Sequence, residues 1–336
     1  MALIKMDGFD YANNAELVQA GYYSYGWDFL SSFSASNKRF NGYGINIAFT
    51  SGQGYGFGFS IPNYSTPTFI FGIAVMLNDT SWGIPRIYCN GNVEHINFRF
   101  QNNWLGVYRG ETLLYEISTS IVLGQWNYFE FKVTISNTAG VIVVRKNGQV
   151  IGEWYNIDTN NGGTDALNGL NFNSARGAIR FDDFYLCDTT GTINNDFLGD
   201  VTVVALAPTA NGSVNNFTPS SGSNFQCVDD FTNDGDATYV SISSAGQDLY
   251  TIADLNKIPN SIFGLEVKSV SRKNDTGVAS LRNKLVSGSN TSVGIETFLN
   301  TSYAVTKDIF ELDPSTGSVW TKNSIDNIEV GIERIS

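Results

Sequence analysis

The sequence predicts an all-β protein made of two antiparallel, jelly-roll-like β-sandwich domains. Three observations carry that expectation. Aromatic residues make up 13% of the 336-residue chain and charged residues only 15%, a balance that favours pleated, half-buried segments over solvated helices. Apolar and polar residues alternate at period two in several stretches, as in a strand with one buried face. Gly, Asn and Ser cluster between these stretches, where tight turns are needed. Strands do not alternate with long helical patterns, which argues against a doubly wound fold.

In chain order, Ala15 to Ala20 makes a short helix. Gly52-Gln53-Gly54-Tyr55-Gly56-Phe57-Gly58-Phe59 carries a glycine at every second position, giving a strand with one bare face and one aromatic face. The bare face invites close packing of another layer; the aromatic face is a candidate platform for sugar or protein. Thr68 to Leu77, Ile96 to Phe100 and Thr112 to Ile117 are strands. From Trp126 to Ile135, Phe129, Phe131, Val133 and Ile135 alternate with Tyr128, Glu130, Lys132 and Thr134. Val141 to Lys146 follows, and Asn147-Gly148 closes a two-residue hairpin, since both turn positions accept positive φ. Ala178 to Cys187 ends the first domain, residues 1–190. The second, residues 198–336, starts with a strand at Val201 to Leu206. Pro208 to Asn224 reads as a long loop and Thr251 to Lys257 as a short helix stopped by Pro259. Ile328, Val330 and Ile332 alternate in a closing strand.

Composition removes several functions. The 32 acidic and 20 basic residues give a net charge of −12, which disfavours binding to nucleic acid or anionic lipid. The longest apolar run, Phe69 to Leu77, is far short of the ~20 residues of a membrane helix. The N-terminus lacks the apolar core of a signal peptide. Cys89, Cys187 and Cys227 cannot all pair and form no Cys-x-x-Cys motif, so they read as inert thiols of a protein made in a reducing cytosol. One histidine, His95, rules out poly-His metal sites.

Gly124-Gln125-Trp126-Asn127-Tyr128-Phe129-Glu130-Phe131-Lys132-Val133, the Asn147-Gly148 hairpin and Ile179-Arg180-Phe181-Asp182-Asp183-Phe184-Tyr185-Leu186 together resemble the concanavalin A-like lectin/glucanase jelly roll in its laminin-G-like form. The early Asp7-Gly8-Phe9-Asp10 fits, because in such folds the first and last strands lie side by side. Three further runs resemble a recurring structural protein of tailed phages: Asp182 to Gly191, Phe197-Leu198-Gly199-Asp200-Val201 and Asp313-Pro314-Ser315-Thr316-Gly317-Ser318-Val319-Trp320-Thr321. That resemblance implies a virion component, made in the host cytoplasm, whose partners are other virion proteins and further copies of itself. It brings no catalytic residues.

Chemistry is sparse. Glu311-Leu312-Asp313 is the best carboxylate pair for a glycosidase, but Pro314 ends its strand and the expected third acid is Ser315. Asp182 and Asp183 are adjacent and would face opposite sides of a strand. His95 lies in an alternating segment and reads as a solvent-face residue. Asp229 to Asp236 is acid-rich around Gly235 but fails the calcium-loop pattern at Thr232 and Ser241, and a solvated turn explains it. No cofactor and no metal is expected. Trp82, Trp104 and Tyr108, flanked by Asn-rich turns, are the candidate contacts for a glycan or a protein interface. The expected role is therefore non-enzymatic: capsid decoration, or part of a tail, baseplate or fibre. A host-glycan adhesin is the alternative, and a glycan depolymerase a weaker one.

Overall fold

The computed structural model describes all residues except 1, 12–13, 27–30, 35–37, 41, 48–54, 79–84 and 175–178. The described chain is all-β with antiparallel sheets, and it divides into two compact units, Met1–Val204 and Ala205–Ser336.

Two sheets form the first unit. The eight-stranded sheet runs, in spatial order, Gln149–Ile157, Gly140–Lys146, Trp126–Thr134, Thr68–Leu77, Ile179–Cys187, Gly44–Ile47 and Ser31–Ser34. Leu3–Asp7 also pairs with Ile179–Cys187, so the first and last strands of the unit lie side by side. The seven-stranded sheet runs Thr112–Ser118, Trp104–Arg109, Glu94–Gln101, Arg86–Asn90, Gly169–Ser174, Tyr55–Ser60 and Tyr23–Gly26. Phenylalanines join the two. Phe131 of one sheet lies 4.2 Å, centroid to centroid, from Phe98 of the other, and Phe129 meets Phe100 edge-on at 5.2 Å. Each such ring is worth about 1.5–3 kcal/mol on burial.

The Asn147-Gly148 hairpin forms as the sequence predicts, with φ of +49° and +79° at the two turn residues. Asn147 does more than turn the chain. Its side-chain Oδ1 accepts from the Tyr128 N–H at 2.8 Å, and its own N–H donates to the Tyr128 carbonyl at 2.7 Å. The hairpin tip is thereby tied to the strand beside it.

Trp126–Thr134 departs from a one-faced strand, since Tyr128 and Glu130 are as fully buried as Phe129 and Phe131. Residues 196–203 lie over them. Glu130 Oε1 accepts from the Tyr185 hydroxyl at 2.6 Å and from the Gly199 N–H at 2.7 Å, while Leu198 N–H donates to the Tyr185 hydroxyl at 3.1 Å. The Arg39 guanidinium donates to the Val201 carbonyl at 3.2 Å and pairs with Asp200 at 2.6 Å. The Val203 N–H donates to Asp183 Oδ1 at 2.9 Å. Val201 to Leu206 is not a strand: the Val201 carbonyl and the Val203 N–H, which a ladder would use, are taken by Arg39 and Asp183.

Asp182 and Asp183 also depart from expectation. A bulge interrupts pairing between Asp182 and Tyr185, and Asp183 adopts φ of +52°. Phe181 and Phe184 face the core, and both intervening carboxylates meet Arg39: its N–H donates to Asp182 at 2.7 Å and its guanidinium lies 3.3 Å from Asp183. Burial first, then repulsion from Asp183, pushes the Asp182 carboxyl up; burial likewise pushes Asp183 up, against the pull of the Val203 N–H and Arg39.

The second unit is built on a six-stranded sheet, Pro208–Asn215, Gly246–Ile252, Ile328–Arg334, Ser280–Ser287 and Asn290–Val293, with Thr297–Phe298 also paired to Ser280–Ser287. A separate antiparallel pair, Leu265–Ser271 with Ala304–Phe310, is fastened to this sheet through Asn283, whose Nδ2 donates to the carbonyls of Val267 and Thr306 at 3.0 and 3.2 Å. Val267, Leu285, Trp320 and Ile328 fill the space between. Pro208–Asn215 lies inside the segment read as a loop; its pairing with Gly246–Ile252 is broken by bulges, which hid any alternation. Thr251 and Ile252 end a strand and no helix follows them, whereas the short helix Asn14–Gln19 forms where one was expected.

Two outcomes follow from the covered face of the eight-stranded sheet. A Cβ at Gly72 would stand 2.2 Å from Tyr185 Cε1 and 2.8 Å from Tyr128 Cε1. Both rings are pinned, so Gly72→Ala should lower stability by about 1–3 kcal/mol, read as a fall in the urea midpoint with unchanged m-value. The raised carboxyls mean the folded state binds more protons than the unfolded chain between the ordinary carboxylate pKa of about 3.9 and neutrality. Their contribution to stability therefore falls as pH rises through that window. Urea midpoints of Asp182→Asn against the parent protein should show the variant gaining relative stability at pH 8 compared with pH 5.

Candidate functional site

Period two sends alternate residues of the seven-stranded sheet outward, and ladder register lines them up across strands. Tyr108 pairs with Asn97, Asn97 with Tyr88, Tyr88 with Asn171, Asn171 with Gly58 and Gly58 with Tyr23. This row crosses six strands, about 24 Å at ~4.8 Å per strand. The next row holds Gly106, Arg99, Arg86 and Asn173, and Trp104 stands at its own position beyond Gly106. Asn97, Tyr88 and Asn171 lie low in the middle; Tyr108 is half-buried and Tyr23 exposed at the two ends.

Hydrogen bonds fix these side chains. Asn97 Nδ2 donates to the Gly110 carbonyl at 2.6 Å, while its Oδ1 accepts from Arg99 Nε at 2.8 Å. The Arg99 guanidinium lies 3.6 Å from the Tyr108 ring centroid, a cation–π contact. Arg99 and Arg86 both reach Glu111, at 2.6 and 3.2 Å, and Arg86 also donates to the Tyr88 hydroxyl at 3.2 Å. The Arg99 hydrogen bond holds the Glu111 carboxyl below its ordinary range. Burial pushes the Tyr88 hydroxyl pKa up, against the pull of Arg86. At the far end the Tyr23 hydroxyl donates to Asn171 Oδ1 at 2.6 Å. Gly106 leaves room for its neighbours: a Cβ there would meet Trp104 Cζ3 at 2.5 Å and Tyr108 Cε2 at 2.6 Å.

Of the three residues singled out in the sequence, Trp104 and Tyr108 share this face, and Trp82 lies outside the described residues. Arg86, Tyr88, Asn97, Arg99, Glu111 and Asn171 were missed. Their signal was the polar half of the alternation, as in Asn97-x-Arg99-x-Gln101 facing Tyr108-x-Gly106-x-Trp104, which a search for apolar sets passes over.

Two other expectations are corrected. Phe57 and Phe59 pack in the core at 1% and 2% exposure, so the aromatic face of their strand is no platform. His95 is fully buried instead of solvent-facing, because residues 158–166 fold over it and the Asn161 N–H donates to its Nδ1 at 3.2 Å. Burial pushes its imidazole pKa down. Asp313 is buried and organises the following turn, its Oδ1 accepting from the Ser315 N–H at 2.9 Å. In the acid-rich segment, Asp234 Oδ2 accepts from Thr238 and Asp236 pairs with Arg272 at 2.9 Å. Among the described residues no group of three or more His, Cys, Asp or Glu is placed to hold a metal ion. All three cysteines are buried and none forms a disulfide.

Asn97, Tyr88, Asn171 and Arg99 are buried and hydrogen-bonded in place, so what this face presents outward is the half-buried Trp104 and Tyr108, the exposed Tyr23, the partly exposed Arg86 and the exposed Glu111. No protein-family model matches the chain, and no curated protein matches it in sequence. Among solved structures it is similar to alginate lyase Aly36B, at 13% identity and TM-score 0.36, over 56% of this chain and 92% of the lyase. It is also similar to a Bacillus subtilis protein with a galectin-like fold, at 10% identity and TM-score 0.39, over 56% of this chain and 96% of that one. A carbohydrate-binding module from Bacillus subtilis is similar at 9% identity and TM-score 0.35, over 50% of this chain and 96% of the module. At these values the likeness decides neither ligand nor activity.

Proposed function

We propose that this chain is a virion component of a tailed phage whose first unit binds saccharide, without cleaving it, on the outer face of the seven-stranded sheet. The observation that carries the binding role is the row Tyr108, Asn97, Tyr88, Asn171 and Tyr23, hydrogen-bonded in place beside Trp104. A saccharide needs flat apolar surface for its C–H face and directional partners for its hydroxyls; Trp104, Tyr108 and Tyr23 supply the first and Arg86 with Glu111 the second, and the buried Asn97, Tyr88 and Asn171 beneath leave little side-chain motion to freeze. The phage setting rests on the sequence runs from Asp182 to Gly191, from Phe197 to Val201 and from Asp313 to Thr321. Docking to other virion proteins, or to further copies of itself, and display of the sugar-binding face then complete the role. Host-surface glycan is the external partner in this reading.

Binding is tested by substituting the two half-buried aromatics. Trp104→Ala with Tyr108→Ala should weaken binding to a host-cell glycan panel at least tenfold while the urea midpoint moves little. Unchanged binding by a folded double variant would overturn the assignment of the face. Location is tested with gold-conjugated antibody on purified virions. Gold over the head means capsid decoration, gold at the tail tip or fibres means an adhesive position, and absence of the chain from particle mass spectra would defeat the virion reading.

A further inference from the structure

Within that face, the turn between Trp104–Arg109 and Thr112–Ser118 carries an unusual arrangement. Gly110 and Glu111 form its tip, and the tip is held down on the sheet by Asn97. Glu111 reaches back across two strands so that each carboxylate oxygen meets a different guanidinium: Oε2 to Arg99 at 2.6 Å and Oε1 to Arg86 at 3.2 Å. The two cations are fixed. The Arg99 side chain is 8% exposed, clamped by Asn97 and stacked on Tyr108, and the Arg86 side chain is 23% exposed and bonded to Tyr88. The anion between them is 75% exposed.

A carboxylate so exposed gains little from its ion pairs, because water and salt screen them. Two pre-positioned guanidiniums, one buried and one partly buried, gain more from an anion that also brings contacts of its own. We propose that Arg86 and Arg99 form the subsite for the carboxylate of an acidic saccharide, and that Glu111 occupies this place until the saccharide displaces it. The sugar ring carrying that carboxylate would lie beside Tyr108 and Trp104. This inference rests on the saccharide-binding reading and narrows it to glycans that contain uronic or sialic acid.

The test uses the full chain and matched probes: immobilised polyuronates and sialylated glycans, each presented as the free acid and as the carboxyl methyl ester. The parent protein should bind at least one free acid tenfold or more tightly than its ester, and the preference should shrink with added salt. Glu111→Gln removes the resident anion at an exposed position, and should raise the acid-to-ester preference three- to tenfold. Arg86→Gln should abolish the preference. Its urea midpoint identifies any loss of folding, and in that case Arg86→Lys, which keeps the charge but not the fork, should retain part of it. Equal binding of acid and ester, or a Glu111→Gln variant with unchanged or weaker preference, overturns the carboxylate subsite and leaves saccharide binding standing. Binding to neither form of any probe overturns both.

Discussion

Everything in the first unit depends on the phenylalanine contacts between its two sheets. Phe98 and Phe131 at 4.2 Å, with Phe71 stacked on Phe131 at 4.9 Å, fix which residues of each strand point inward. Period two does the rest. Once Phe98 and Phe100 face the core, Asn97 and Arg99 must face outward; once Leu105 and Val107 do, Trp104, Gly106 and Tyr108 must stand beside them. The candidate site is thus the reverse side of the hydrophobic core, and a one-residue slip in any of those strands would remove both together.

The two outer faces of this sandwich have opposite fates. On the eight-stranded sheet, residues 196–203 cover Tyr128, Glu130 and Tyr185 and leave a carboxylate buried at 0% exposure. Such a group is tolerated because the Tyr185 hydroxyl and the Gly199 N–H both donate to it. On the seven-stranded sheet, polar side chains are bonded to one another and to the Gly110 turn, and the aromatic ends of the row remain accessible. One face is spent on holding the end of the first unit in place; the other, beyond the part at His95 that residues 158–166 cover, keeps Trp104, Tyr108 and Tyr23 at least partly exposed.

Much of this was legible in the chain because its signals are local. Alternation located Thr68–Leu77 and Trp126–Thr134, and Asn147-Gly148 set a hairpin by backbone preference alone. What the sequence hid was mostly non-local. Nothing near His95 signals that residues 158–166 will cover it, and no local rule places Asp182 and Asp183 against Arg39, about 143 positions away. The bulge that brings those carboxylates together breaks the very periodicity used to read strands. Half of the site escaped for a different reason. Trp104 and Tyr108 stood out as aromatics beside amide-rich turns, whereas Arg86, Arg99 and Glu111 look like ordinary solvated charges until the register brings them into one cluster.

The row that ends in Tyr108 and Tyr23 draws one or more residues from each of six strands, spread along the chain from position 23 to position 171. No stretch of the unfolded polypeptide reproduces that spacing. A molecule lying along the row would engage the native sheet and ignore the denatured chain, and mass action would then convert occupancy into resistance to unfolding, about 2.7 kcal/mol at a hundredfold excess over Kd. Recognition and durability would be linked quantities in this sandwich: the surface that grips a partner is also the surface through which the partner holds six strands in register.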